Sequence, residues 1–258
     1  MIRSLAARSL TARQKSSIRS IAYRLGGYRL RPVEQLVEDV VLHDGAQSFL
    51  QIGANDGYLS DPLNLAIFRH GLAGTFVEPQ PNYFRELQNT YRKFAGMVYV
   101  QCAIAAQPGM MTMYSLDCAS GRLPGWAHGV GTLSREQIRK FGDQIDDIDA
   151  YIRSQDVECI TVAELLRRAS HPDPDILVVD AEGFDHPILS QFDFARLSTR
   201  LVIYETESMS GDHAADLKQR LQAAGFALFD ADQDTVALRR DSATFRKRGG
   251  PEQAVGNA

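Results

Sequence analysis

The sequence lacks the features that define several large protein classes. Among 258 residues there are only three cysteines, Cys102, Cys118 and Cys159, odd in number and without metal-ligand spacing. A disulfide framework and a structural zinc are therefore excluded, and a reducing, cytoplasmic compartment is expected. No apolar run approaches the length that spans a bilayer. The chain has neither the Gly-x-Gly-x-x-Gly of dinucleotide folds nor the Gly-Lys-Ser/Thr of phosphate loops, which disfavours a nicotinamide oxidoreductase. Acids are missing from Met1 to Val33, where eight basic residues stand alone. The net charge of -4 thus conceals a remainder with 20 basic and 32 acidic residues. Such a body repels phosphate, so no nucleic-acid partner is expected.

What is present is an ordinary apolar fraction of 44% with 23% charged residues, enough for one α/β domain with a well-buried core. Three segments are expected: a basic arm over 1–31, a domain over 32–240 and a disordered tail over 241–258. The arm has no long apolar centre and is not a secretory signal. It reads as an organellar transit peptide, as an amphipathic helix resting on an anionic membrane or a protein partner, or as a solvated, frayed helix. Ile18, Ile21, Ala22 and Leu25 recur at helical spacing, so its second half is expected to dock on the domain. Homo-oligomerisation is left open.

The domain is organised around Phe49-Leu50-Gln51-Ile52-Gly53-Ala54-Asn55-Asp56-Gly57, a short apolar run broken by two glycines. The run reads as a buried strand, and the glycines let the backbone turn tightly and approach a bound ligand. About twenty residues on, Gly74-Thr75-Phe76-Val77 ends in Glu78. Nucleotide-binding α/β units use this spacing to set a carboxylate against two ribose hydroxyls. Alone, Glu78 would read as a solvated strand-end acid. Turn and delayed acid together, without a pyrophosphate signature, point to S-adenosylmethionine.

Around this core, helices are expected from Pro32 to His43, after Asp61-Pro62, from about Asn82 to Phe94 and from Ala214 to Ala224. Met97 to Ile104 reads as the third strand, whose end places Cys102 and Ala103 beside the adenine, although Cys102 fits core packing equally well. Residues 115–133 hold four glycines with Trp126 and His128 and read as a substrate cover. Trp126 could stack on a sugar and His128 could act as a base, each against the plainer reading of a loop anchor. The acids from Asp143 to Asp149 read as a solvated helix face. Ile176 to Val179 is a buried strand delivering Asp180, Glu182 and Asp185, and Leu201 to Tyr204 delivers Glu205 and Glu207. Asp180 suits the acceptor hydroxyl or the methionyl amine, whereas Glu182 and Asp185 fit equally well as caps of the next helix. A divalent ion held by Asp180, Glu182, Glu205 and Glu207 is the less favoured reading. Residues 226–229 and 235–239 form a terminal hairpin.

Gln51-Ile52-Gly53-Ala54-Asn55-Asp56-Gly57, Val77-Glu78-Pro79, Val179-Asp180-Ala181-Glu182-Gly183-Phe184-Asp185 and Val202-Ile203-Tyr204-Glu205 together resemble the FkbM family of S-adenosylmethionine-dependent methyltransferases. Two positions differ: the first, an acid in the family, is Gln51, and the one before Asp180, often Lys, is Val179. The resemblance implies a class I methyltransferase fold, a Rossmann-like, doubly wound, mostly parallel seven-stranded sheet ending in an antiparallel hairpin. It implies O-methylation of a hydroxyl on a sugar, glycan or natural-product-like small molecule. Cofactor contacts then fall on Gln51, Gly53, Ala54, Asn55, Gly57, Glu78, Pro79, Cys102, Ala103 and Asp180, with His128, Asp180, Glu182 and Glu205 as candidate bases. The rival expectation is a non-catalytic scaffold on the same fold.

Overall fold

The computed structural model describes residues 10–231 and 234–248. Helix α1 (Ala12–Arg24) opens on a Thr11 capping box with Gln14, and α2 (Pro32–Asp44) starts on a proline that needs no hydrogen-bond partner there. Strand β1 (Ser48–Ile52) leads through the glycine turn to α3 (Asn64–His70). Next come β2 (Ala73–Val77), α4 (Pro81–Tyr91), β3 (Met97–Val100) and β4 (Ala103–Ile104). The middle of the chain holds β5 (Gly109–Leu116), β6 (Gly131–Thr132), α5 (Arg135–Arg139), α6 (Ile148–Tyr151) and β7 (Ile152–Ile160). Then follow α7 (Val162–Arg168), β8 (Ile176–Val179), α8 (Asp185–Leu189), β9 (Leu201–Glu205) and α9 (Gly211–Ala223). The described chain ends with β10 (Phe226–Ala231), β11 (Asp234–Arg239) and α10 (Ala243–Lys247).

Seven strands form the main sheet in the order β10-β11-β9-β8-β1-β2-β3. Six point the same way, β10 among them, and β11 alone runs antiparallel, to both β9 and β10. This is the doubly wound arrangement with a terminal hairpin expected for a class I methyltransferase. The central strands are apolar on both faces: Phe49, Val178 and Ile203 pack into one core layer, Leu50, Leu177 and Val202 into the other. Because parallel strands all end on one edge, the turn after β1, Glu78 after β2 and the acids after β8 and β9 meet there.

Several expectations are corrected. The third strand breaks after Val100, and β4 leaves for a second, four-stranded sheet in the order β4-β7-β5-β6. Strand β7, for which no expectation was made, carries Arg153, Ser154, Asp156 and Glu158 outward and buries only Val157, Cys159 and Ile160. Residues 115–133 are not a bare loop: Leu116, Ala127 and Val130 pack with Ile138, Ile145 and Ile148 in a small apolar cluster of their own. The acids at 143–149 do not share one helix face, since Asp143 ends a 3-10 turn (Lys140–Asp143), Asp147 takes a left-handed turn with φ 56° and a separate helix starts at Ile148.

The arm corrects a second reading. Helix α1 turns Ser16 and Ser20 inward, 0% and 6% exposed, and leaves Ile18, Ile21 and Leu25 in solvent. Polar bonds hold this orientation. Arg19 donates to Asn64 Oδ1 at 2.7 Å and pairs with Glu34 at 3.4 Å, while Asn64 Nδ2 donates to Ser16 Oγ at 2.9 Å and Gly57 O at 2.6 Å. Residues 1–9 of the arm and 249–258 of the tail lie outside the described residues. No helix among the described residues is long and apolar enough to cross a membrane.

Residues 241–248, expected as disordered tail, form α10 and dock on α2. Asp44 accepts from Ala243 N–H at 2.6 Å and Thr244 N–H at 3.1 Å, two donors that the first turn of a helix cannot satisfy internally. Asp44→Ala should lower stability by about 1–2 kcal/mol. Limited proteolysis should then cut within 241–248, whereas equal resistance in both proteins would remove this role.

Candidate functional site

The turn after β1 needs its glycines for its left-handed backbone and for the protein packed against it. Gly53 has φ 81°, and a Cβ there would lie 1.7 Å from the carbonyl oxygen of Asp180. At Gly57, with φ 71°, a Cβ would lie 2.5 Å from the Tyr91 ring. Both glycines thus yield to protein neighbours, β8 in one case and α4 in the other. The turn is pinned to β2 by Gly53 N–H and Ala54 N–H, which donate to Val77 O at 2.9 and 3.0 Å.

Glu78 is 3% exposed. Its Oε2 accepts from Asn55 N–H at 2.9 Å and its Oε1 from Gln80 N–H at 2.8 Å. A carboxylate offers about four acceptor positions, so two bonds leave room for a pair of hydroxyls. Turn and acid are therefore one unit, as their spacing suggested.

A cleft of about 1070 Å³ opens beside them, and its walls include Gln51, Gly53, Ala54, Asn55, Glu78, Pro79, Cys102 and Ala103. His128 and Trp126 line it from the cover, and Asp180, Glu182 and Glu205 from the ends of β8 and β9. Gly57, expected beside the methionyl part, is not among the lining residues and packs on Leu87 and Tyr91 instead. Cys102 lines the cleft where β3 breaks, and burial pushes its thiol up to about 12, so it presents an inert neutral face. Trp126 rests against Phe141 with ring centroids 5.1 Å apart, still partly exposed to the cleft.

Sequence reasoning did not single out the pieces that hold the cover down. Gln80 Nε2 donates to Gly129 O at 2.8 Å, and a Cβ on Gly129 would meet Asn55 Nδ2 at 1.6 Å. The cover thus rests directly on the cofactor turn. The only hint was Gln80 standing two residues beyond Glu78. Asp185 stands in the first turn of α8, at its positive end as expected, and also accepts from Ala181 N–H at 3.2 Å and Glu205 N–H at 3.3 Å, tying β8 to β9. Glu182 precedes that helix, whose N-cap residue Phe184 makes no side-chain cap bond. Glu182 holds φ 49°, an uncommon conformation for a residue with a side chain.

Two buried acceptors have no hydrogen-bond partner, Gln51 Oε1 and Glu205 Oε2. Such atoms are costly to leave unpaired, and both residues line the cleft, which marks positions where a ligand donor would be received. The acids of the β8 and β9 ends do not converge on an ion: among the described residues no three or more His, Cys, Asp or Glu are placed to hold a metal.

Burial raises Glu78, Asp180, Glu182 and Glu205. Glu78 is pushed up to about 7, chiefly by burial, against the pull of the Gln80 and Asn55 N–H donors. Glu205 reaches about 7 through burial and then the charges of Asp180 and Asp234. Asp180 and Glu182 also rise, by burial first and then by Asp234 and by Asp180 respectively. Asp180 is accessible to the water in the cleft, which tempers its rise. These groups bind protons more tightly folded than unfolded, so their contribution to stability is complete below 4.5 and is lost as pH rises through 7. Denaturant midpoints should therefore fall between about pH 5 and about pH 8. Glu205→Gln should flatten that slope, and a slope unchanged by the substitution would count against the assignment.

The sequence from residue 51 to residue 228 matches the family model described as the Methyltransferase FkbM domain. No curated protein matches the chain. Among solved structures, methyltransferase FkbM from Methylobacillus flagellatus KT is similar with a TM-score of 0.48 and 10% identity, over 84% of this chain and 46% of that one. A putative caffeoyl-CoA O-methyltransferase from Staphylococcus aureus gives 0.43 at 10% identity, over 92% and 96% of the two chains. The O-methyltransferase from Bacillus cereus in complex with SAH gives 0.40 at 10%, over 88% and 90%. The family match takes in the glycine turn, Glu78 and the acids of β8 and β9 across more than half of the sequence, and the chain belongs to the FkbM methyltransferase family.

Proposed function

We propose that the protein transfers a methyl group from S-adenosylmethionine to a hydroxyl of a sugar, glycan or natural-product-like small molecule. The observation that carries this reading is one cleft holding both halves of such a site. On one wall stand the buried Glu78 and the unpaired Gln51 Oε1, on the other the acids ending β8 and β9.

The residues fit the cofactor part by part. Glu78 has free acceptor positions for two ribose hydroxyls, and Gln51 Oε1 would accept from the methionyl ammonium. Cys102 and Ala103 supply an uncharged wall suited to the adenine. When bound, the cofactor supplies a methyl already activated by its sulfonium. What is left to the protein is to orient the acceptor oxygen and take its proton.

Glu205 is best suited to receive that proton. Its Oε2 is unpaired and its carboxyl is held near 7, where a group both loses and accepts protons readily. After burial, the charges of Asp180 and Asp234 on the same space disfavour a further negative charge, which keeps Glu205 basic. His128 on the cover is the other candidate base. The volume of about 1070 Å³ accommodates an acceptor beside the cofactor.

Calorimetry with S-adenosylhomocysteine should show binding, weakened about 30-fold or more in Glu78→Ala through the loss of two charge-assisted bonds. No heat with the unaltered protein would overturn the cofactor and favour a scaffold. Glu205→Gln should lower methyl transfer by about 10²-fold or more while S-adenosylhomocysteine affinity holds. Undiminished transfer in Glu205→Gln together with a loss in His128→Ala would move the base to the cover.

A further inference from the structure

We propose that α1 docks the protein on an anionic lipid surface through the outward stripe Ile18, Ile21 and Leu25 and the basic residues that flank it. These three side chains are 52%, 57% and 81% exposed. Their spacing of three and four residues puts them in one line along the helix, with Ser16 and Ser20 on the opposite, buried side. A helix packed on a domain for its own stability has the reverse pattern, apolar inward and polar outward.

The orientation is set by bonds that a rolled helix would lose. Ser16 is fully buried and accepts from Asn64 Nδ2, and Arg19 is engaged by Asn64 Oδ1 and Glu34. The guanidinium of Arg69 lies 4.2 Å from the Tyr23 ring centroid on the same inward side. Among the described residues nothing covers the stripe, which leaves it open to a surface beyond them.

Charge and size identify the occupant. Arg24 at the end of the helix and Arg29 just beyond it are exposed beside the stripe, whereas Arg13 and Lys15 are half-buried, with Lys15 over the Tyr58 ring, and no acid occurs from Met1 to Val33. An apolar line beside exposed cations is the pattern of helices that lie in the headgroup layer of anionic membranes. The excess of acids in the rest of the chain would turn that body away from the same surface. A protein partner is the poorer fit, because three aliphatic side chains cover only a few hundred Å², short of the ~800 Å² per side of a stable interface. Neither the stripe nor its flanking cations line the cleft, so docking and methyl transfer are separable.

The test is co-sedimentation of the full chain with vesicles of phosphatidylcholine and phosphatidylserine, and with vesicles of phosphatidylcholine alone. The chain should sediment with the first and stay in solution with the second. A triple variant, Ile18→Ser with Ile21→Ser and Leu25→Ser, should lose binding tenfold or more. Its unfolding temperature and S-adenosylhomocysteine affinity should be unchanged, because all three side chains are already in water. Arg24→Gln with Arg29→Gln should weaken binding about fivefold per charge removed, and added salt should do the same. Failure of the unaltered chain to sediment with the anionic vesicles, equal sedimentation with both vesicles, or equal binding by the triple variant would each overturn the proposal. Stripe-dependent self-association without vesicle binding would assign the stripe to a second copy instead.

Discussion

The carboxyl ends of β1 and β8 touch through main chain alone, and the site is set out from that contact. Asp180 N–H donates to Ile52 O at 2.9 Å, and the hydrogen of Gly53 occupies the one place where the Asp180 carbonyl allows no carbon. Two adjacent parallel strands are thereby locked at their tips, where parallel sheets ordinarily fray into loops. Asn55 leaves β1 already directed at Glu78, and Glu182 leaves β8 in a left-handed conformation that returns the chain toward Glu205. Asp185 completes the frame by holding both Ala181 and Glu205 at the main chain. The distance between the cofactor wall and the acid wall is thus fixed by backbone, and side chains only furnish it.

The acid wall is in tension with folding. Asp180, Asp185 and Glu205 each raise the proton affinity of a neighbour, on top of what burial does. An uncompensated cluster of this kind costs stability at neutral pH, and proteins retain such clusters where a ligand or a reaction uses them. Compensation comes from around the cluster, since Asp185 takes two main-chain donors and Glu78 two more. A bound sulfonium or ammonium would relieve the remaining repulsion, so stability and function depend on the same electrostatic term.

How much of this could be read from residues alone depended on what each residue buries. Strands such as Ile176–Val179 are apolar on both faces and stood out at once. Glu78 was legible only together with the glycine turn about twenty residues before it, since alone it reads as a solvated strand-end acid. Strand β7 was illegible: most of Ile152–Ile160 faces solvent on both sides of a small sheet, so neither alternation nor apolarity marks it. The facing of α1 was misread for a related reason. Apolar spacing said which residues share a side, but hydrogen bonds to Ser16 and Arg19 decided which side goes inward. The glycines and their tight turn were legible, but the neighbours that also require them were not, because Asp180 and Tyr91 lie far away in sequence.

The cover is built on a different plan from the layer beneath it. Its apolar cluster takes in Ile138, Ile145 and Ile148 and no residue of the main sheet, its strands belong to the second sheet, and among the described residues it meets the turn after β1 at Asn55 and the chain beyond β2 at Gln80. Changes within that cluster would leave the packing of the parallel strands alone. On the proposed function, selection of the acceptor and retention of the methyl donor are then free to diverge, so that relatives sharing this turn need not share a substrate.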